Sequence, residues 1–136
     1  MAKDPRPLSP HLQVYRWQLT MTLSILHRLT GMGLAFGAAL LTWWLIAALQ
    51  GSAAFKTFHD FTSSIIGQLM LLGWVWAFAF HFLNGIRHLV WDTGRWLTLK
   101  GAYASGYTVA ALSLLATVAI WYAATGALPF CQTGAL

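Results

Sequence analysis

Charge is scarce in this chain of 136 residues. Only 8% of the residues are charged and only three are acidic, where soluble domains carry about 25% charged residues. That shortage excludes an ordinary water-soluble fold. Cysteine is nearly missing too. Cys131 stands alone, which excludes an internal disulfide, a thiolate-held iron–sulfur cluster and a CxxCH covalent haem attachment. No GxGxxG turn, phosphate loop, zinc pattern or Ser/His/Asp set occurs in the sequence. The chain therefore shows no catalytic machinery of its own.

The few charges leave long gaps. No Asp, Glu, Lys or Arg falls between Arg28 and Lys56, between Asp60 and Arg87, or after Lys100. Each gap exceeds the roughly 20 residues that a helix needs to cross hydrocarbon. With 58% hydrophobic residues and eight tryptophans, the sequence predicts an all-α integral membrane protein. Three transmembrane helices are expected at about 22–48, 64–90 and 106–127 in a single domain over 1–136. The first apolar run begins too far along the chain for a signal peptide and reads as a retained helix.

The formal charge of +5 does not point to nucleic acid, because the basic residues sit at span ends rather than in one patch. Lys3, Arg6, Arg16 and Arg28 precede the first span, and Arg87, Arg95 and Lys100 flank the second connection. The other connection has Lys56 alone. The positive-inside rule places the N-terminus and the 91–103 connection in the cytoplasm, with 51–62 and the C-terminus outside. Residues 1–10 hold three prolines and read as extended chain. His11 to Trp17 reads as an interfacial segment anchored by Tyr15 and Trp17, or as a tether for a partner protein. Phe55 to Phe61 reads as an interfacial turn. Span three, built from Ala, Leu, Val and Thr, is explained by packing or lipid exposure alone.

Two stretches carry chemistry. In Phe78 to Asp92, His81, Gly85 and His88 share a helix face by their 4 and 3 spacing, and ionisable groups on an apolar span mark sites. An imidazole one turn from a glycine suits a flat cofactor: one group ligates and the other leaves room. His81 is thus a candidate axial haem ligand, against the plain alternative of a histidine bonded to a neighbouring helix. His88 lies about 10 Å further along, where an interfacial histidine is the simpler role. In SILHRLTG, Ser24, His27, Arg28 and Gly31 share a second face. Arg28 beside His27 could bind haem propionates or polarise a carbonyl, against simple snorkelling. Ser24 adds a hydroxyl that could help hold a quinone carbonyl, or bond its own backbone. Gly31, Gly33 and Gly37 offer contact surface to another helix. Because the first two spans run in opposite directions, Ser24, His27, Arg28, His81 and His88 are expected at similar depth. Arg87 and Asp92 read as a local ion pair or cap, with proton transfer by Asp92 as the alternative.

The stretches RPLSPHLQVYR (6–16), SILHRLTG (24–31) and HFLNGIRHLVWD (81–92) stand in an order that resembles the cytochrome b anchor subunits of succinate dehydrogenase, in complex II of bacteria and mitochondria. The likeness covers roughly residues 5 to 125. It implies a three-helix anchor in the bacterial inner membrane or the mitochondrial inner membrane, with the N-terminus on the cytoplasmic or matrix side. It implies pairing with a second small anchor subunit and one shared b haem, with His81 at the ligand position. Ser24 and Arg28 match quinone-site residues, and His27 and Arg28 match residues near the haem propionates. Succinate oxidation would belong to a flavoprotein partner, whose electrons reach ubiquinone through an iron–sulfur partner. A fumarate reductase anchor would look similar. The readings from other classes are a small transporter, disfavoured by the apolar third span, and a plain tether.

Overall fold

The computed structural model describes residues 15–125, which are helical almost throughout. Four helices follow one another: α1 (Leu19–Gln50), α2 (Ser52–Ser63), α3 (Ile65–Asp92) and α4 (Leu99–Ala124). α1, α3 and α4 are long and apolar enough to cross a membrane. At 32, 28 and 26 residues they measure about 40–48 Å, more than the roughly 30 Å of hydrocarbon. Their ends therefore reach the headgroup layers. The expected interfacial stretch from His11 to Val14 and the tail bearing Cys131 lie outside the described residues.

Two expectations are corrected. The connection after α1 is not a turn at Phe55 to Phe61 but a two-sided helix of 12 residues. Gly51, at φ 99°, supplies the left-handed step that lets the chain leave α1 and restart at once. α2 then lays Phe58 and Phe61 against Trp43, with ring centroids 5.1 and 5.2 Å apart. Its polar side carries the exposed pair Lys56–Asp60 at 2.6 Å. The third span starts at Leu99 rather than Gly106, because Thr98 caps it: its Oγ1 accepts the Gly101 N–H at 3.2 Å. Ser64 caps α3 in the same way, accepting from Gly67 at 3.1 Å.

α3 packs against both other long helices. The buried centre is Leu23, Phe80 and Val109, with Leu19, Leu26, Trp76 and Leu83 packed around it. Small residues set the close approaches. The Trp74 indole fills the space where a Gly37 side chain would be, and Leu23 lies against Gly106. The outer faces remain apolar, as at Phe36, Leu49 and Ile65, which suits contact with lipid rather than water. The α1 N-terminus, the α3 C-terminus and the α4 N-terminus share one end of the bundle, called the basic end below.

Span three packs partly through small polar side chains. Ser105, Ser113 and Thr117 are buried on α4. Ser113 and Thr117 bond carbonyls of their own helix, at Ala110 and Ser113. Ser105 likewise donates to the Ala102 carbonyl of its own helix, at 3.2 Å, and also accepts from Arg87 on α3.

Candidate functional site

His27, His81 and His88 form one stack near the basic end. The His27 ring lies parallel to that of His81, with centroids 4.0 Å apart and planes 9° apart. On its other side it stacks on His88 at 5.2 Å and 21°. His81 and His88 are seven residues apart on α3, a rise of about 10 Å, and the α1 imidazole fills that gap. The rings stack rather than converge, and no group of three among the described residues could hold a metal ion. Any metal here would need one of these imidazoles and a ligand from elsewhere.

His81 is oriented by α1. Its Nδ1 lies 3.0 Å from the His27 carbonyl and 3.3 Å from Thr30 Oγ1. Since a carbonyl only accepts, Nδ1 carries the proton. Nε2 is then the lone-pair nitrogen, the arrangement in which an imidazole ligates metal. Thr30 Oγ1 is held in turn by the carbonyls of Leu26 (2.8 Å) and His27 (3.0 Å). Gly31 sits beneath the ring: a Cβ there would be 3.0 Å from His81 Cε1. Gly85, one turn after His81, has open space where its Cβ would be. A free Nε2 lone pair with an anchored Nδ1–H and a side-chain-free approach is what an axial ligand to a haem would need. His88 is bound to its own helix, donating from Nδ1 to the Asn84 carbonyl at 2.7 Å. It is also part of the stack. His27 Nδ1 is buried without a hydrogen-bond partner.

Ser24 and Arg28 are not in this stack. Both are exposed on α1. The helix turns about 100° per residue, so His27 and Gly31 face α3 while Arg28 is carried round to the outside. Ser24 lines a cavity of about 360 Å³ with Tyr15, Trp17, Thr20, Met21 and Ile25. Tyr15 and Trp17 meet edge to face at 6.3 Å. Tyr15 donates to Met21 Sδ at 2.7 Å and Trp17 to Thr22 Oγ1 at 2.5 Å. These two aromatics therefore wall a cleft beside Ser24.

The ion pair expected between Arg87 and Asp92 does not form. The 3.6-residue turn puts positions five apart on different faces. Arg87 turns inward, 4% exposed. Its Nε donates to Ser105 Oγ (2.9 Å), Nη1 to Asn84 Oδ1 (3.3 Å) and Nη2 to the Ala102 carbonyl (2.8 Å). Trp91 stacks on the guanidinium at 4.0 Å. Asp92 is exposed at the end of α3. Sequence reasoning missed Thr30, Asn84, Trp91 and Ser105. The first three stand inside or beside the quoted motifs, and Asn84 lies three residues before Arg87, a spacing that signals a shared face. Nothing local marked Ser105.

A model of the succinate dehydrogenase/fumarate reductase transmembrane subunit family matches residues 2–120. The chain belongs to that family. It is 39% identical over 118 residues to the succinate dehydrogenase cytochrome b556 subunit of Rickettsia felis, covering 87% of this chain and 92% of that one. To the cytochrome b556 subunit of Paracoccus denitrificans it is 42% identical over 113 residues, covering 83% and 87%. The mitochondrial cytochrome b560 subunit of Bos taurus matches at 37% over 120 residues, covering 85% and 69%. The family is a transmembrane one, in agreement with the three spans. Its bacterial and mitochondrial members are components of an oxidoreductase complex, and their cytochrome b names imply haem b.

Proposed function

We propose that this chain, as a single membrane-anchor domain over residues 1–136, is the cytochrome b subunit of a succinate:ubiquinone oxidoreductase. In this reading His81 gives one axial ligand to a b haem, and a second small anchor subunit gives the other. The observation that carries it is the His81 geometry: Nδ1–H bound to the His27 carbonyl, the lone pair left at Nε2, and Gly31 beneath the ring. When bound, the haem supplies a one-electron carrier. The protein's part is to orient the imidazole through His27 and Thr30 and to keep water out with the surrounding apolar helices. His27 and Arg28 stand on the α1 turn where propionates would approach from the basic end.

Ubiquinone would bind beside Ser24, whose hydroxyl can donate to a quinone carbonyl, with Arg28 one turn on as the charged donor. Proton delivery to the reduced quinone from the exposed Asp92 belongs to the same reading. Succinate oxidation takes place in a flavoprotein partner, an iron–sulfur partner carries the electrons, and this chain tethers both to the membrane. Its N-terminus lies on the cytoplasmic or matrix side of a bacterial or mitochondrial inner membrane, as the basic residues near that end favour.

The test is a dithionite-reduced minus oxidised spectrum of the detergent-purified complex, wild type beside His81→Ala. Loss of a b-type signal with the partner subunits still bound supports the reading. An undiminished signal removes His81 from the haem, and no haem in wild type leaves a quinone-only anchor or tether.

A further inference from the structure

A second cleft, apart from the histidine stack, opens between α3 and α4. It has a volume of about 470 Å³ and walls that are mostly apolar, including Leu83 and Ile86 on α3 and Ala104 and Leu112 on α4. Arg87 and Trp96 close it towards the basic end. We propose that this cleft binds an anionic phospholipid, one acyl chain lying along the groove and the phosphate at its basic end.

Dimensions and charge both favour that occupant. From Gly101 to Leu112 the wall runs about 16 Å along α4, close to half the hydrocarbon thickness and so to the depth of one leaflet. The wall also contains a cation. Arg87 spends three of its N–H groups on Ser105, Asn84 and the Ala102 carbonyl, all neutral acceptors. A guanidinium carries five N–H groups, so two remain, and no carboxylate pairs with it among the described residues. A buried cation without an anion is costly. An anion arriving from the interface would complete it, whereas an apolar helix in the groove would not.

The rim adds more positive charge. Arg95 and Lys100 are exposed and lie next in sequence to the wall residues Trp96 and Gly101. Asp92 is the one acid in that neighbourhood among the described residues. Trp96 itself is held at φ 59°, a left-handed conformation rarely adopted by bulky residues. Here it keeps an indole at the mouth of the cleft, at the level where tryptophans meet headgroups. Basic pockets between helices at this level select anionic headgroups. The proposal rests on the membrane fold and not on the haem or quinone assignments.

The complex, purified in detergent and stripped of lipid, should be titrated with phosphatidylglycerol and with phosphatidylcholine and read by native mass spectrometry. Wild type should retain one phosphatidylglycerol in preference to phosphatidylcholine. Arg95→Gln and Lys100→Gln should each cut that preference about fivefold, the effect of one interfacial cation. Ala104→Phe, which fills the groove, should remove the bound lipid of either kind. Haem content and dye-linked succinate oxidation report whether each variant is folded. Should Ala104→Phe fail to fold, the two exposed charge variants decide alone. Equal retention of both lipids by wild type, an unchanged Ala104→Phe stoichiometry in folded complex, or displacement of the bound lipid by added ubiquinone would each overturn the proposal.

Discussion

The imidazoles of His27 and His81 lie parallel with their centroids 4.0 Å apart, while the His27 backbone carbonyl holds His81 Nδ1 at 3.0 Å. One residue of α1 thus touches the ring of α3 twice, by its face and by its main chain. The carbonyl contact survives any substitution at position 27, but the stack does not. His27→Ala should therefore leave the His81 tautomer intact while freeing the ring to tilt. In the purified complex, haem should be retained with an altered midpoint potential. Complete haem loss would show instead that the His27 imidazole is itself essential.

Gly31→Ala tests the floor of the same site. The new Cβ would lie 3.0 Å from His81 Cε1, so the ring must move by a few tenths of an ångström. Partners outside the ligand itself usually alter metal affinity by about 10–100-fold. Haem retention under a competing apo-globin should fall by about tenfold. Retention equal to wild type would place the haem on another face of His81.

Ser24→Ala and Arg28→Ala should lower succinate:quinone reductase activity while leaving succinate-to-soluble-dye activity intact. Ser24 lines the 360 Å³ cavity and stands outside the histidine stack, so haem content should hold in Ser24→Ala. An equal fall in both assays would mean failed assembly and not a quinone defect.

Arg87→Ala should destabilise the bundle by about 2 kcal/mol or more. It leaves Asn84 and Ser105, both buried, without their charged donor, and hydrogen bonds to charged groups contribute about 1.5–3 kcal/mol. Thermal denaturation of the complex checks it. A stability equal to wild type would show that these groups find other partners.

Gly37→Ala should separate α1 from α3, because its Cβ would occupy the position of the Trp74 indole. Trp74→Leu, by emptying that space, should partly restore the double variant. Thermal stability in a four-variant cycle measures this coupling. Purely additive losses would contradict the contact.

Much of this protein was written in one dimension. Gaps between charges located the three spans to within a few residues, since hydrocarbon tolerates no unpaired charge. The exception was the start of α4, where a cap at Thr98 decides the boundary. The motifs around His27 and His81 were legible for the same reason: polar groups on apolar spans stand out against their background. α2 was not, because a 12-residue segment with two aromatics and a charged pair reads equally as turn or helix until Trp43 packs on it.

Only the tertiary structure chose among the residues that shared a face. Sequence placed Ser24, His27, Arg28 and Gly31 together, but packing against α3 uses one edge of that face. His27 and Gly31 turn inward to His81, while Ser24 and Arg28 stay outside, Ser24 lining a separate cavity. Arg87 followed the same logic. Its neighbour in sequence, Asp92, lies across the helix, while its hydrogen-bond partner Ser105 sits on another helix that no local pattern links to it. Periodicity determines which residues point the same way, and the contacts between helices determine what they meet.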